Sequence, residues 1–148
     1  MYYVCKGLTI VKQTSDLLKE LNSTANIDSY LKDNENYIIN QTLCSYLSDL
    51  IEAKSLSKSD VIHKSDINEI YAYQIFSGKR FPSRNKLIRI CIGAEFSLEE
   101  INDVMTVGEF SPLYPKIKRD SIIIFGIQNG HSILQINELL YSHQLETI

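Results

Sequence analysis

Apolar and polar residues alternate with a helical period along almost the whole chain. In residues 41–53 the apolar side chains recur three, four and seven positions apart, as Leu43, Tyr46, Leu47, Leu50 and Ile51. This spacing places them along one face of a helix. Residues 98–105 show the same spacing. The pattern therefore predicts an all-α protein.

Capping residues indicate where these helices begin and end. Ser57 is a good N-cap for a helix over residues 58–64, and Asn68 for a helix over 69–77. Gly78 follows directly, at the place where a residue with positive φ commonly ends a helix. Two short helices joined by a tight turn are therefore expected between Ser57 and Gly78.

Similar signals occur on either side of this segment. Pro82 and Ser83 predict the start of a further helix, and residues 97–100, SLEE, form a capping box that opens another. Near the N-terminus, Ser15 predicts a cap for a helix over 16–21, and residues 28–31 predict a further turn or two. Residues 1–13 are compatible with a strand, a disordered leader or an early helix start, and the sequence does not choose among them.

Part of the chain repeats with a period of 35 residues. The identities are Ile88, Ile92, Ser97, Ile101 and Asn102, which recur as Ile123, Ile127, Ser132, Ile136 and Asn137. Residues 122–125, IIIF, also have the β-branched character of a strand. The repeat favours a helix there, so helices are expected near 117–128 and 132–142. The C-terminal hairpin is then a repeat of the preceding hairpin and stacks on it.

The composition is that of a globular protein. The 148 residues are 44% hydrophobic and 22% charged, and this length has room for one domain, or for one domain with an extension. No apolar run approaches the roughly eighteen residues that span a bilayer, and the first residues lack the features of a signal peptide. We therefore expect a cytoplasmic protein without membrane contact. Cys5, Cys44 and Cys91 lie far apart, which fits neither a disulfide framework nor a zinc site.

The net charge of −3 hides a strong asymmetry along the chain. Residues 57–93 contain seven Lys or Arg and three Asp or Glu, a net charge of +4. Residues 1–56 carry −2 and residues 94–148 carry −5. A local basic patch of this kind is what binding to a phosphate backbone requires, although a solvated basic loop gives the same composition.

Catalysis finds no support in the residue pattern. The three histidines, His63, His131 and His143, are scattered, and no paired carboxylates or Gly-rich phosphate loop accompany them. We therefore expect neither an enzyme nor a bound cofactor or metal.

Residues 40–107 resemble the Cro/C1-type (XRE) helix-turn-helix family. The resemblance lies in Leu56-Ser57, in Asn68, in the loop Gly78-Lys79-Arg80-Phe81-Pro82-Ser83 and in residues 97–100, SLEE. It implies an all-α, five-helix lambda-repressor-like domain over 40–107. An N-terminal helical arm (1–39) precedes it, and a C-terminal helical hairpin (108–148) packs on it.

Two places depart from the pattern of that family. The turn position, usually Gly, is Asp66, which tolerates a left-handed backbone better than most residues. Ile62 and Ala72 exchange the small and the bulky residue expected where the second and third helices cross. A volume-conserving exchange of this kind is well tolerated in a core.

The resemblance also implies which residues would contact DNA. Phosphate contacts would come from Lys58 at the start of the second helix and from Lys79, Arg80 and Arg84 around the loop after the third. The third, or recognition, helix would present Glu69, Ile70, Tyr73 and Gln74 to bases, and Gln74 suits adenine edges. Among the aromatic residues near this helix, Tyr71 and Phe76 are expected in the core, and Tyr73 and Phe81 at the surface.

These residues support two functional hypotheses. The first is a bacterial or phage-type, sequence-specific DNA-binding transcription regulator of Cro/C1 type. It would contact double-stranded DNA through residues 57–89 as a homodimer whose interface is the acidic C-terminal hairpin. The alternative is a helix-turn-helix-derived module that does not bind DNA and holds a protein partner on its recognition-helix face. No Arg or Lys lies on that helix, so the sequence leaves both hypotheses open.

Overall fold

The computed structural model describes residues 12–148, and this part of the chain is all-helical. It contains nine helices and no strand, which confirms the all-α prediction for the described range. The helices are α1 (Thr14–Ser23), α2 (Ile27–Asp33), α3 (Leu43–Ala53), α4 (Lys58–Ser65), α5 (Glu69–Phe76), α6 (Arg84–Gly93), α7 (Leu98–Val107), α8 (Lys118–Gln128) and α9 (Ile133–Ser142). Residues 122–125 lie within α8, so the strand alternative is wrong.

The chain divides into two compact units between Asn40 and Gln41. The first unit contains α1 and α2. Helix α1 begins after Gln13, whose carbonyl accepts from the amides of the first turn, so the expected cap Ser15 lies inside the helix instead. Helix α2 confirms the turn predicted over 28–31 and is capped by the side chain of Asn26. The alternatives for the leading residues fall on positions 1–11, outside the described residues.

The second unit contains α3 to α9, and the predicted caps begin most of its helices. The side-chain oxygens of Ser57, Asn68 and Ser83 each accept from an amide in the first turn of the following helix. The capping box predicted at residues 97–100 is present in full. Gly78 has a φ of +75°, as expected from its position after α5. Local sequence signals therefore determine where the helices of this unit begin.

The core of the second unit is formed by the buried apolar side chains of these helices. Helix α3 packs on α5 and α7, and α4 packs closely on α6. The closest approach is at Gly93, where an added Cβ would lie 2.7 Å from the Val61 carbonyl oxygen and 2.8 Å from the Ser65 nitrogen. Ile62 and Ala72 are both buried, as the exchange between them requires.

The repeat with a period of 35 residues is also visible in the backbone. Helices α6 and α7 are joined through Glu95 with a φ of +55°, and α8 and α9 through Gly130 with a φ of +66°. Glu95 and Gly130 are 35 positions apart. Capping boxes open α7 and α9 at Ser97 and Ser132, again 35 positions apart. The two hairpins therefore have the same connection and the same type of cap at equivalent positions.

Candidate nucleic-acid interface

Helices α4 and α5 meet through a tight turn built on Asp66. This residue has φ 49° and ψ 45°, the left-handed conformation expected for it. Arg89 of α6 donates from Nη1 to the Asp66 carbonyl oxygen at 2.6 Å and lies 3.5 Å from its carboxylate. A side chain 23 positions later thus holds the turn in place. No pattern within the turn itself signals this contact.

Helix α5 exposes the face that the sequence predicted. Glu69 and Ile70 lie in its first turn and are exposed, with 71% of Ile70 accessible. Tyr73, one turn later, is 43% exposed, and Gln74 beside it is half-buried. The opposite face of the helix is buried and consists of Ala72, Ile75 and Phe76. The four predicted base-facing residues therefore share one outward surface.

Two of the predicted phosphate contacts lie against aromatic rings near α5. Lys58 places its Nζ 5.5 Å from the centre of the Phe76 ring, and Arg80 places its Cζ 5.7 Å from the centre of the Tyr71 ring. Cation–π contacts of this kind hold a charge near the surface without neutralising it. Lys79 is exposed in the turn that follows α5. Two of these cations therefore lie over aromatic side chains of α5, and the third follows the helix directly.

Arg84, the fourth predicted phosphate contact, is partly exposed and hydrogen-bonded to acceptors within the protein. Its Nη1 and Nη2 donate to the Asp120 carboxylate at 3.3 and 3.1 Å. Nε and Nη2 also donate to the carbonyl oxygens of Ser111 and Pro112. Four of the five guanidinium N–H groups thus have protein acceptors. The phosphate contact of Arg84 stays a prediction, and a guanidinium held in this way has few donors left to offer a phosphate.

Other basic residues are also held within the second unit. Arg89 supports Asp66 with only 15% of its side chain exposed. Lys64 donates to the Glu95 carboxylate at 2.6 Å, and this hydrogen bond raises the pKa of Lys64. Lys86, in the first turns of α6, remains partly exposed. The candidate basic surface, Lys58, Lys79 and Arg80, is therefore smaller than the number of cations in residues 57–93 suggests.

Exposed apolar residues adjoin this basic surface. Phe81 is 63% exposed and its ring centre lies 5.9 Å from that of Phe110. Exposure of Phe81 and Tyr73 and burial of Phe76 agree with the sequence expectation, whereas Tyr71 is only half-buried. A shallow groove of about 460 Å³ runs beside the loop. It is lined by Gln41, Thr42, Leu43, Cys44, Ile75, Gly78, Arg80, Phe81, Pro82, Val107 and Glu109.

The described residues, 12–148, offer little support for a metal site or a reactive thiol. No group of three or more His, Cys, Asp or Glu within this range has the arrangement of a metal site. Burial strongly raises the pKa of the Cys91 thiol, which disfavours the reactive thiolate. None of the described helices is long and apolar enough to cross a membrane.

Comparisons with known proteins add no relative to this picture. No protein-family model matches the chain, and no curated protein or solved structure does either.

Proposed function

We propose that the protein is a sequence-specific DNA-binding transcription regulator of the Cro/C1 type, acting in the bacterial cytoplasm. In this proposal residues 40–107 form a lambda-repressor-like domain, in which α4 and α5 are the helix-turn-helix pair. The observation that carries the proposal is the outward face of α5 beside three cations, Lys58, Lys79 and Arg80. The left-handed turn at Asp66 supports it further.

Affinity in this proposal comes from the phosphate backbone. Lys58 lies in the first turn of α4, where the helix dipole and the ammonium group both favour an anion. Lys79 and Arg80 follow α5 and reach the neighbouring phosphates. Contacts of this kind fix the position of the protein but read no sequence. They also make binding depend strongly on salt.

Sequence discrimination in this proposal comes from the exposed face of α5. Gln74 offers an amide that pairs with the N6 and N7 edge of adenine, and Glu69 accepts from the amine of cytosine. Ile70 provides apolar contact for a thymine methyl group. Tyr73 completes the face with a hydroxyl on an aromatic ring. The expected operator half-site therefore contains adenine opposite the C-terminal part of α5.

Fluorescence polarisation with a random duplex at low salt tests the phosphate contacts. We expect wild type to bind, and the double variant Lys79→Ala/Arg80→Ala to reduce the slope of log affinity against log salt by about two. The matched control is Lys116→Ala/Lys118→Ala, which removes the same charge from an exposed segment away from α5. No binding by wild type, or equal losses in both variants, would contradict the proposal.

Selection of bound duplexes from a random library tests the reading face. We expect Gln74→Ala to weaken binding to the selected site by about tenfold and to leave random-duplex binding nearly unchanged, because a bidentate base contact discriminates by about 1–3 kcal/mol. Equal losses on both duplexes would remove Gln74 from the reading face.

The proposal includes a homodimer formed through the C-terminal hairpin. Helices α8 and α9 expose Phe125 (53%), Leu134 (69%) and Tyr141 (80%), and Leu134 and Tyr141 lie seven positions apart on one face of α9. We expect light scattering to give a dimer, and Leu134→Glu/Tyr141→Ser to give a monomer with weaker operator binding. A wild-type monomer that binds its operator tightly would argue against the dimer.

A protein partner on the same face is the second candidate function. It is favoured by the exposure of Ile70 and Phe81, since large exposed apolar residues mark protein interfaces more often than DNA interfaces. The salt titration separates the two candidates. A protein that binds no duplex at low salt, and whose Lys79→Ala/Arg80→Ala variant behaves as wild type, favours the protein partner.

A further inference from the structure

The two hairpins of the 35-residue repeat are followed by tails of the same shape. After α7, Glu109 has a φ of +58° and Phe110 donates its amide to the Met105 carbonyl at 2.8 Å. After α9, Gln144 also has a φ of +58°, and Leu145 donates to the Leu140 carbonyl at 2.9 Å. Each pair of equivalent residues is 35 positions apart. The repeat therefore extends beyond the helices into the chain that follows them.

Each tail is anchored by an asparagine of its own hairpin. Asn102 accepts from the amide of Leu113 through its side-chain oxygen at 2.8 Å. Asn137 accepts from the amide of Ile148 in the same way, also at 2.8 Å. Leu113 and Ile148 are both buried. A buried aliphatic residue therefore closes each hairpin at the equivalent place.

An arginine at the start of each hairpin donates hydrogen bonds to the tail of its own hairpin. Arg84 donates from Nε to the carbonyl of Ser111 and from Nη2 to that of Pro112, at 3.2 and 3.4 Å. Arg119 donates from Nε to Glu146 and from Nη2 to Thr147, at 2.8 and 3.1 Å. The same atoms thus meet equivalent carbonyls in both hairpins. Residues 84–113 and 119–148 are each a self-closed unit.

Residues 84–113 and 119–148 also contact each other reciprocally. Arg84 of the earlier segment binds Asp120 of the later one, and Arg119 of the later segment donates to Asn85 Oδ1 of the earlier one at 3.0 Å. Asn85 and Asp120 are equivalent positions. Helix α6 packs on α9, and α7 packs on α8, with the same reciprocity. Contacts that pair position i with j and j with i are the mark of a two-fold arrangement.

We propose that residues 84–113 and 119–148 are two copies of one unit closed on each other about a local two-fold axis, and that Arg84 is a positioning residue. The carboxylate of Asp120 holds Arg84 at the first position of α6. That position follows directly on the loop that carries Lys79 and Arg80. The C-terminal hairpin therefore braces this loop, and this part of the inference rests on the proposed function.

The burial of Asp120 explains why the brace stays closed. Only 4% of its side chain is exposed, and it accepts from Arg84 and from the amide of Tyr114. Withdrawal of Arg84 toward a phosphate would leave a buried carboxylate without its cation, which costs more than a surface ion pair returns. Arg84 therefore acts on DNA binding through the loop and not by direct contact.

Thermal unfolding of the full chain tests the two-copy arrangement. Asn85→Asp gives Arg119 the carboxylate that Arg84 already has, so we expect its melting temperature to rise by a few degrees. In an Arg119→Met background the same change should give no rise. A rise of equal size in both backgrounds would contradict the proposed contact with Arg119, because the stabilisation would then come only from placing a carboxylate at a helix N-terminus. No rise in wild type would overturn the two-copy arrangement.

Salt-dependent polarisation with a random duplex tests the brace. We expect Arg84→Met and Asp120→Asn to weaken binding severalfold, with the wild-type salt slope and with no further loss in the double variant. Lys79→Ala serves as the reference and should lower the slope by about one. Arg84→Lys keeps a cation for Asp120 and should restore part of the affinity.

Three results would overturn the brace. A slope lowered by about one in Arg84→Met would make Arg84 a phosphate contact. Tighter binding by Asp120→Asn would make the pair inhibitory. Wild type without any DNA binding would overturn the proposed function and the brace together, whereas the unfolding cycle would still decide the two-copy arrangement.

Discussion

The role of a charged residue in this protein depends on the acceptors around it. Arg80 and Arg84 stand four positions apart in the same basic stretch, yet Arg80 lies over an aromatic ring and Arg84 lies in a network of carbonyl and carboxylate oxygens. The N–H groups of Arg80 stay available to a ligand, whereas most of those of Arg84 already have acceptors within the protein. Composition alone counts both as part of one basic patch.

Asp103 is the residue for which we expect a clear pH dependence. Burial raises the pKa of its carboxyl group, and the charge of Glu99 one turn earlier raises it further. A carboxyl with a raised pKa in the folded state costs stability once pH exceeds its unfolded value, and the cost disappears below that value. Asp103→Asn should therefore raise the melting temperature at pH 7.

The same gain should shrink as the pH falls toward about 4, the ordinary pKa of Asp, and vanish below it, because the carboxyl is then protonated in both states. Differential scanning calorimetry between about pH 3 and 8 measures this. Glu138→Gln, at the exposed equivalent position in α9, is the control and should show no comparable gain. A gain for Asp103→Asn that is independent of pH would show that the charge is not its cause.

At the scale of elements, the contact between α4 and α6 depends on the absence of a side chain at Gly93. An added Cβ would overlap the backbone of Val61 and Ser65, which cannot rotate away as a flexible side chain can. Overpacking of this kind costs about 1–3 kcal/mol, more than the roughly 1 kcal/mol by which Ala improves a helix. Gly93→Ala should therefore lower the stability measured by urea unfolding.

Gly126→Ala provides a comparison within α8. Its added Cβ would overlap Cγ1 and Cδ1 of Ile136, a fully buried β-branched side chain with little rotamer freedom in α9. Gly126→Ala should therefore also lower the stability measured by urea unfolding. An unchanged stability would mean that Ile136 repacks more easily than its burial implies.

At the scale of the whole molecule, residues 41–148 form one compact unit with its own core. This range contains the helix caps of the unit, its buried aliphatic residues and the Arg84–Asp120 pair. The sequence divided it at residue 107, and that division stays a prediction. Burial of a continuous core across both parts is the physical basis of a single cooperative unit.

A chain of residues 41–148 should therefore fold without the preceding residues. We expect circular dichroism to show the helical content of α3 to α9, and thermal unfolding to be a single cooperative transition. A helical but non-cooperative chain, or one that binds dyes specific for exposed apolar surface, would contradict this expectation. A chain that ends at residue 113 loses Asp120 and should unfold at a lower temperature.

Much of the fold could be predicted because its signals are local. A cap such as Ser57 and a turn such as Asp66 act within three or four residues, so the sequence determined the helical class, most helix starts and the outward face of α5. The repeat was also visible at Asn102 and Asn137, since identical chemistry recurred at one spacing. The cap at Ser15 failed because the carbonyl of Gln13 begins α1 instead.

Only the tertiary structure decided which cations remain available. Arg84 and Asp120 are 36 positions apart, and Arg89 and Asp66 are 23 apart, so no local pattern joins them. Folding brings both pairs together, and it places Arg84 and Asp120 in a partly buried site, where an ion pair once made is costly to break. The sequence by itself determined the helices and the surface they present, and the packing of the second hairpin on the first determined which charges are left to act there.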